Sequence, residues 1–277
     1  MRGYSLVVVF ALICGCAPPQ SAVKPSVSAT QEKPGSKEVF IAFDQAGKNV
    51  KAKSFSTGKE LLGEVQRLGG ARGEYETDSA FLSRLSALGN YSVNGEITAS
   101  DVKFDRSTGV FSLRVSMRDA QGYGFKSDLG ALKAVNTDYP SFYLGEDIYS
   151  RGQYTGQNSF GATAIIEKRK IDRYYLVFNP VPKSPGNIFF YNVTGKLGLS
   201  AAEMESQRDN IRVLFTVMPA PSYVQFVRRY QEPTIANPYE SEINNYFFQA
   251  KVFWVRVVNI KTGKVYDDEA RMSIEAL

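Results

Sequence analysis

The chain of 277 residues contains no histidine, and its two cysteines, Cys14 and Cys16, both fall near the amino terminus. Triad-type serine and cysteine nucleophiles need an imidazole base, and zinc centres draw mainly on histidine and cysteine. Both chemistries are excluded from the body of the chain. No disulfide framework can form there either, so a fold in an oxidising compartment must hold by packing alone and be indifferent to reductant. A strong excess of one charge is also missing: 33 basic residues face 28 acidic ones, a formal net charge of +5. That balance is not the footprint of a nucleic-acid-binding surface, and no nucleic-acid partner is expected. What is present, 43% hydrophobic residues with 23 glycines and 12 prolines, fits a folded globular chain with a real core.

Residues 1–15 carry one positive charge at Arg2, an apolar run from Leu6 to Ile13 and then small residues, the layout of a secretory leader. The run is too short to span a bilayer as a mature helix. Its end, Leu12-Ile13-Cys14-Gly15-Cys16, resembles the lipobox of bacterial lipoproteins, with Ile13 three positions before the lipidated cysteine and Gly15 just before it. Cys14 departs from the small or aliphatic residue usual at its place. The resemblance implies a signal peptide over residues 1–15, diacylation of the Cys16 thiol and attachment to a membrane through that lipid, where more than one acyl chain makes a stable anchor. Ala17 in place of Asp implies the outer membrane, facing the periplasm, in a Gram-negative host. An ordinary secreted protein whose cysteines belong to the leader is the alternative.

Residues 16–38 are rich in Pro, Ser, Ala, Lys and Gln and almost free of large apolar side chains, so they are expected to form a disordered tether. Such a chain reaches about 25 Å on average and about 70 Å at full stretch. A folded domain follows over 39–277, with a candidate sub-boundary near 145–155.

Helix signals are clear. Thr57-Gly58-Lys59-Glu60 is a capping box ahead of Leu61, Leu62, Val65 and Leu68, closed by Gly69. Thr77 leads in the same way to Phe81, Leu82, Leu85 and Leu88, closed by Gly89; three-turn amphipathic helices converge on this grammar without duplication. Ser200 and Glu203 cap a third, with Leu199 and Met204 as its staple. The remainder reads as strand: Tyr91 to Ile97, Val102 to Asp105, Val110 to Arg118, Ala162 to Lys168, Arg173 to Phe178, Ile211 to Met218, Tyr223 to Tyr230 and Tyr246 to Ile260. Asp105 to Gly109, Lys168 to Arg173 and Lys261 to Lys264 read as hairpin connections, which argues for antiparallel pairing. The expected class is α+β, a mainly antiparallel sheet with two or three amphipathic helices and Tyr246 to Ile260 at its centre. Gly73 to Thr77 and Gly156 to Ala162 resemble stretches of uncharacterised bacterial envelope proteins, a likeness that implies no activity.

Chemical motifs are weak. Ser56-Thr57-Gly58-Lys59 fits the S-x-x-K pattern of penicillin-recognising enzymes, but Ser21 to Lys24 fits it too, inside the tether, and the partner motifs are missing. Helix capping explains Ser56 to Lys59 better. Carboxylates are the remaining acid-base groups, so a glycan-processing enzyme is the hydrolase that composition permits. Glu146 and Asp147 cannot be its facing pair, because neighbours on an extended chain point to opposite faces. The acidic run Asp267 to Glu269 lacks a calcium-loop spacing. Lys168-Arg169-Lys170 with Arg173, and Arg228-Arg229, read as a hairpin tip and a polar strand face, or as contacts to anionic envelope polymers.

No catalytic residue, metal site or cofactor is assigned. The candidate contact site is the stretch Tyr139 to Tyr154, which carries Tyr139, Phe142, Tyr143, Tyr149 and Tyr154 without strand alternation or helical spacing and is broken by Pro140, Gly145 and Gly152. It reads as a long loop, either tucked on the core or presenting rings to a partner, with Glu146, Asp147 and Arg151 at the rim. The functional expectation is a lipid-anchored envelope protein with a non-catalytic binding or scaffolding role toward an envelope glycan or another envelope protein. A carrier or chaperone of lipid or apolar ligands, and a carboxylate-dependent glycan-processing enzyme, are the alternatives.

Overall fold

A computed structural model of the chain describes residues 38–41, 50–125, 139–179, 189–267 and 269–276. Residues 1–37, with the expected leader, Cys16 and nearly all of the expected tether, lie outside these residues. Among those described, helices α1 (Gly58–Arg67), α2 (Asp78–Ser86) and α3 (Ala201–Gln207) start where their caps require. The Thr57 and Thr77 hydroxyls accept from the Glu60 and Ala80 amides, and Ser200 accepts from Glu203. The Glu60 carboxylate accepts in turn from the Ser56 amide, one residue earlier than a standard box. Leu61, Leu62 and Val65 of α1 and Phe81 and Leu85 of α2 are buried, the faces their spacing predicts. Arg84 clasps the two helices together, bonding both Glu76 oxygens and the Leu68, Gly70 and Ala71 carbonyls that α1 leaves open at its end.

Two sheets share the main core. In the smaller, β1 (Glu38–Ile41), β13 (Arg271–Ala276), β9 (Phe189–Leu197), β5 (Val110–Ser116) and β4 (Val102–Asp105) pair antiparallel in that order. The larger runs β2 (Lys53–Phe55), β3 (Tyr91–Gly95), β10 (Ile211–Gln231), β11 (Tyr239–Asn259), β8 (Thr163–Phe178), β7 (Pro140–Gln157) and β6 (Arg118–Asp119), with β12 (Val265–Asp267) beside β11. Leu113, Val193 and Ile274 from the first sheet meet Val213, Phe215 and Val257 from the second, and the apolar faces of α1 and α2 close the same cluster. A smaller cluster of Ala120, Phe125, Tyr175, Val177 and Phe247 forms around the 121–125 turn.

The fold is α+β, but its larger sheet is mixed. β2 with β3 and β8 with β11 run parallel, so the expected mainly antiparallel pairing holds for the other strand pairs and not for these two. β11 does lie at the centre, between β10 and β8. Three connections foreseen from the sequence are corrected. Lys168 to Arg173 is no hairpin but the middle of β8, where Arg169 and Lys170 pair with Glu167 and Asp172 of the same strand and Lys168 and Arg173 with Glu240 of β11 and Glu146 of β7. Ile211 to Met218 and Tyr223 to Tyr230 are one strand, β10, with register shifts at Thr216/Val217 and Pro219/Val224. Tyr139 to Tyr154 is not a loop: from Pro140 onward it is β7, and the candidate sub-boundary near 145–155 falls inside it. β7 lacks alternation because two bulges, at Tyr143/Gly145 and Ser150/Gln153, reset which face each side chain takes. Gly145 and Gly152 hold those places with φ of 124° and 98°, where a residue with a Cβ would be strained.

Candidate functional site

The long strands of the larger sheet outrun what packs on them. β10 and β11 stay paired to Gln231↔Ser241, β11 and β8 to Tyr239↔Glu167, and β7 and β8 to Gln157↔Thr163. The apolar core on the face that α1 covers ends near Val224, Tyr246 and Tyr174. Beyond it a four-stranded arm, β10-β11-β8-β7, continues for roughly 25 Å at the usual rise per residue. Register fixes what each face of the arm presents.

One face begins at α1. Gly58 allows the first turn of the helix to lie on Tyr174, since a Cβ there would overlap the tyrosine's own Cβ. Lys59 is thereby set over the arm, with its Nζ 3.4 Å from Asp147 Oδ1 and 5.5 Å from the Tyr149 ring centre. The Tyr174 hydroxyl donates to Asp147 Oδ2 at 2.8 Å. The Tyr174 ring stacks on Tyr246 at 5.8 Å, and Tyr246 meets Phe226 at 5.2 Å, so rings cross three strands at the root of the arm. Lys170 lies 5.4 Å from the Tyr149 ring and 2.9 Å from Asp172 Oδ2, and Asp172 also accepts from Asn244. Toward the tip, Arg151 and Arg228 approach the Glu242 carboxylate from β7 and β10 at 3.0 and 3.3 Å. Tyr154 donates to Glu240 at 2.8 Å, and Lys168 stands 3.9 Å from Glu240 and 5.0 Å from the Tyr154 ring.

These contacts set the protonation states. Hydrogen bonds from Tyr230 and then Tyr154 hold Glu240 below the usual carboxylate range, and the same carboxylate pushes Tyr230 up to about 12. Burial, then the bond to Asp147, raises Tyr174. The Tyr149 hydroxyl and then Asp147 raise Lys59, and Asp172 raises Lys170. The face therefore carries cations and carboxylates in mutual contact, interleaved with exposed rings. Tyr149 and Tyr154 are each 38% exposed and Tyr230 is 61% exposed. Such a surface has little net field to draw a polyanion, but it offers ring area and fixed hydrogen-bonding groups to a partner.

Of the candidate residues, Asp147, Tyr149 and Arg151 gather on this face together with Tyr154. Phe142 does not: it is 1% exposed and packs on Phe215 in the main core. Tyr139 packs on Phe125, and Tyr143 lies 5.7 Å from the Tyr175 ring, both against the smaller cluster. Glu146 accepts from Arg173 at 2.8 Å on the opposite face from Asp147, as adjacent strand residues must. Lys59, Glu240, Glu242 and Tyr246 were not singled out from the sequence as site residues. Nothing local marks them; α1 carries Lys59 over the face, and Glu240, Glu242 and Tyr246 arrive through the parallel pairing of β8 with β11. The basic clusters were the one usable signal, since Lys168, Lys170 and Arg228 belong to this face.

Other features are quieter. Lys59 of the S-x-x-K pattern serves Asp147 and Tyr149, while Thr57 caps the helix. Asp267 accepts from the Lys196 and Glu269 amides, a structural use of the acidic run. A cleft of about 280 Å³ between Ile97, Val102, Met204 and Ile211 is rimmed by Arg208 and Arg212, and is small and polar for an acyl chain. Among the described residues no group of three or more His, Cys, Asp or Glu could hold a metal ion, and no helix is long and apolar enough to cross a membrane. No family model, curated protein or solved structure matches this chain.

Proposed function

We propose that this chain is a lipid-anchored protein of the bacterial envelope, held to the outer membrane through Cys16 and facing the periplasm, with a non-catalytic binding or scaffolding role. Its contact surface is the face of the arm that carries Asp147, Tyr149, Arg151, Tyr154 and Tyr230. The observation that carries this reading is the exposure of Tyr149, Tyr154 and Tyr230 on a sheet that extends past its own core. Large exposed rings beside prearranged charged groups are what interfaces use, because an aromatic side chain loses little conformational entropy on contact and buries much area. The lipobox resemblance supports the anchor, and a tether of about 70 Å at full stretch would let the arm reach partners well off the membrane surface. The partner class is an envelope glycan or another envelope protein.

The test is retention on purified envelope fragments of the full chain and of a variant carrying Tyr149→Ala, Tyr154→Ala and Tyr230→Ala. Loss of retention with unchanged melting supports the reading. Equal retention removes the arm face from it.

A further inference from the structure

The arm ends in two turns that carry large apolar side chains and almost no charge. β7 and β8 are joined through 158–162, with Phe160 at the apex and 94% exposed. β10 and β11 are joined through 232–238, where Ile235 is 58% exposed. The Glu167 amide donates to the Pro238 carbonyl at 3.0 Å, which seats the second turn beside β8 and puts both turns at one end of the sheet. No charged residue occurs from Gly152 to Ile166 or from Pro233 to Tyr239. Ile165, on β8 behind the first turn, is 65% exposed. Behind this uncharged end lies a collar: over 151–170 and 228–242 six basic residues stand against four acidic ones. The backbone of the turns is largely paired within itself. Asn158 Oδ1 accepts from the Phe160 and Ala162 amides, the Gly161 amide donates to the Asn158 carbonyl, and the Asn158 amide donates to the Ala162 carbonyl. In the second turn Thr234 and Asn237 exchange amide-to-carbonyl bonds, while Pro233 and Pro238 have no amide to leave unpaired. Backbone groups that are already bonded can leave water at little cost, which is the condition a lipid environment sets.

We infer that this end of the arm is a membrane-contact tip, which lays Phe160, Ile165 and Ile235 into the headgroup and outer acyl region of a bilayer while the collar meets anionic headgroups. A protein partner fits the tip poorly, because a stable protein interface takes about 800 Å² from each side and one phenylalanine supplies only about 150–250 Å². A bilayer asks for no matching shape and accepts isolated apolar side chains. On β8 the first charges, Glu167 and Lys168, stand roughly 13 Å of strand behind the first turn. Phe160 can therefore enter the outermost 5–10 Å or so of the bilayer with every charge of that hairpin still in water. Glu232 stands at the base of the second turn and keeps Ile235 shallower. The unpaired outer edge of β7 sets the same limit, since deeper entry would strip water from its backbone groups. The excess of basic residues in the collar selects anionic headgroups. The tip uses neither Tyr149 nor Tyr230, so it goes beyond the binding face proposed above; the proposed anchor at Cys16 would keep a bilayer within reach, but the tip does not rest on it.

The test uses the full chain and vesicles of phosphatidylethanolamine and phosphatidylglycerol whose acyl chains carry bromine, a contact quencher of tryptophan. Phe160→Trp places a reporter at the apex, and Tyr75→Trp places one on the turn between α1 and α2, where Tyr75 is 92% exposed. The one native tryptophan, Trp254 in β11, gives the background, read from the unchanged chain. Both reporters replace exposed rings, so both variants should melt like the unchanged chain. Phe160→Trp is expected to shift its emission to the blue and to be quenched, and Tyr75→Trp to stay as it is in buffer. Adding Ile235→Asp to Phe160→Trp should raise the lipid concentration for half-maximal quenching by at least about tenfold. The same result in the Cys16→Ser chain gives the contact to the tip without the anchor. The inference is overturned if the chain sediments with the vesicles while Phe160→Trp is quenched no more than Tyr75→Trp, a result that leaves the anchor untouched. A chain that stays in solution at vesicle excess overturns it as well. So does a blue shift that needs added envelope proteins and comes without quenching, which would give the tip to a protein partner.

Discussion

Tyr154 on β7 donates its hydroxyl to Glu240 on β11 at 2.8 Å, across the intervening strand β8 and a separation of 86 residues. Tyr230 on β10 reaches the same carboxylate, and Lys168 on β8 stands 3.9 Å from it. One carboxylate thus gathers groups from every strand of the arm. Because these bonds favour the ionised form, Glu240 titrates below its ordinary value of 4.5. The paired change Tyr154→Phe and Tyr230→Phe should move its titration back toward that value, as followed by carbon NMR of the carboxyl. An unmoved titration would mean that the two hydroxyls do not hold Glu240 in solution.

The clasp between α1 and α2 makes an acid-sensitive contribution. Arg84 holds Glu76 at about 2, against an ordinary 4.5. A carboxylate depressed in the folded state contributes stability that is full above its unfolded value and is lost as pH falls through the folded one. The window here therefore runs from about 4.5 down to about 2. Urea unfolding of Glu76→Gln should show a clear deficit against the unchanged chain at neutral pH that shrinks toward nothing near pH 2. A deficit of constant size would assign the loss to packing.

Phe142 and Tyr149 lie seven residues apart on β7 and should behave oppositely. Phe142→Ala opens a cavity beside Phe215 and should cost about 3–5 kcal/mol. Tyr149→Ala touches an exposed ring and should cost under about 1 kcal/mol. Denaturant midpoints of the two variants measure the difference, and similar losses would contradict the register of β7.

This pair also shows how far the sequence could be read. The capped helices were legible because Thr57, Thr77 and Ser200 act on amides within three residues of themselves. Short strands such as Val102 to Asp105 were legible from local alternation and a turn at Gly109. The arm was not. In β7 the bulges at Gly145 and Gly152 break the period that marks a strand, so Tyr139 to Tyr154 reads as a loop. In β8 the charges from Lys168 to Arg173 read as a solvated tip because their partners Glu240 and Glu146 are remote in sequence. Parallel pairing of β8 with β11 has no local signature, and without it the acidic half of the ring face stays hidden. Asp147, Tyr149 and Arg151 were found as a group, but their company was not.

The proposed anchor rests on Cys16. Metabolic labelling with a fatty acid should be lost in Cys16→Ser and retained in Cys14→Ser, with the Cys16→Ser chain released or left unprocessed. Labelling that survives the loss of Cys16 would displace the lipobox from this position.

The most direct test of the binding role is co-sedimentation of the chain with purified envelope fragments, comparing the unchanged chain with Tyr149→Ala, Tyr154→Ala and Tyr230→Ala combined. The account predicts that the variant melts within a few degrees of the unchanged chain and needs at least about tenfold more fragment for half-retention. Retention that is identical for the two chains, at equal melting temperature, would contradict it.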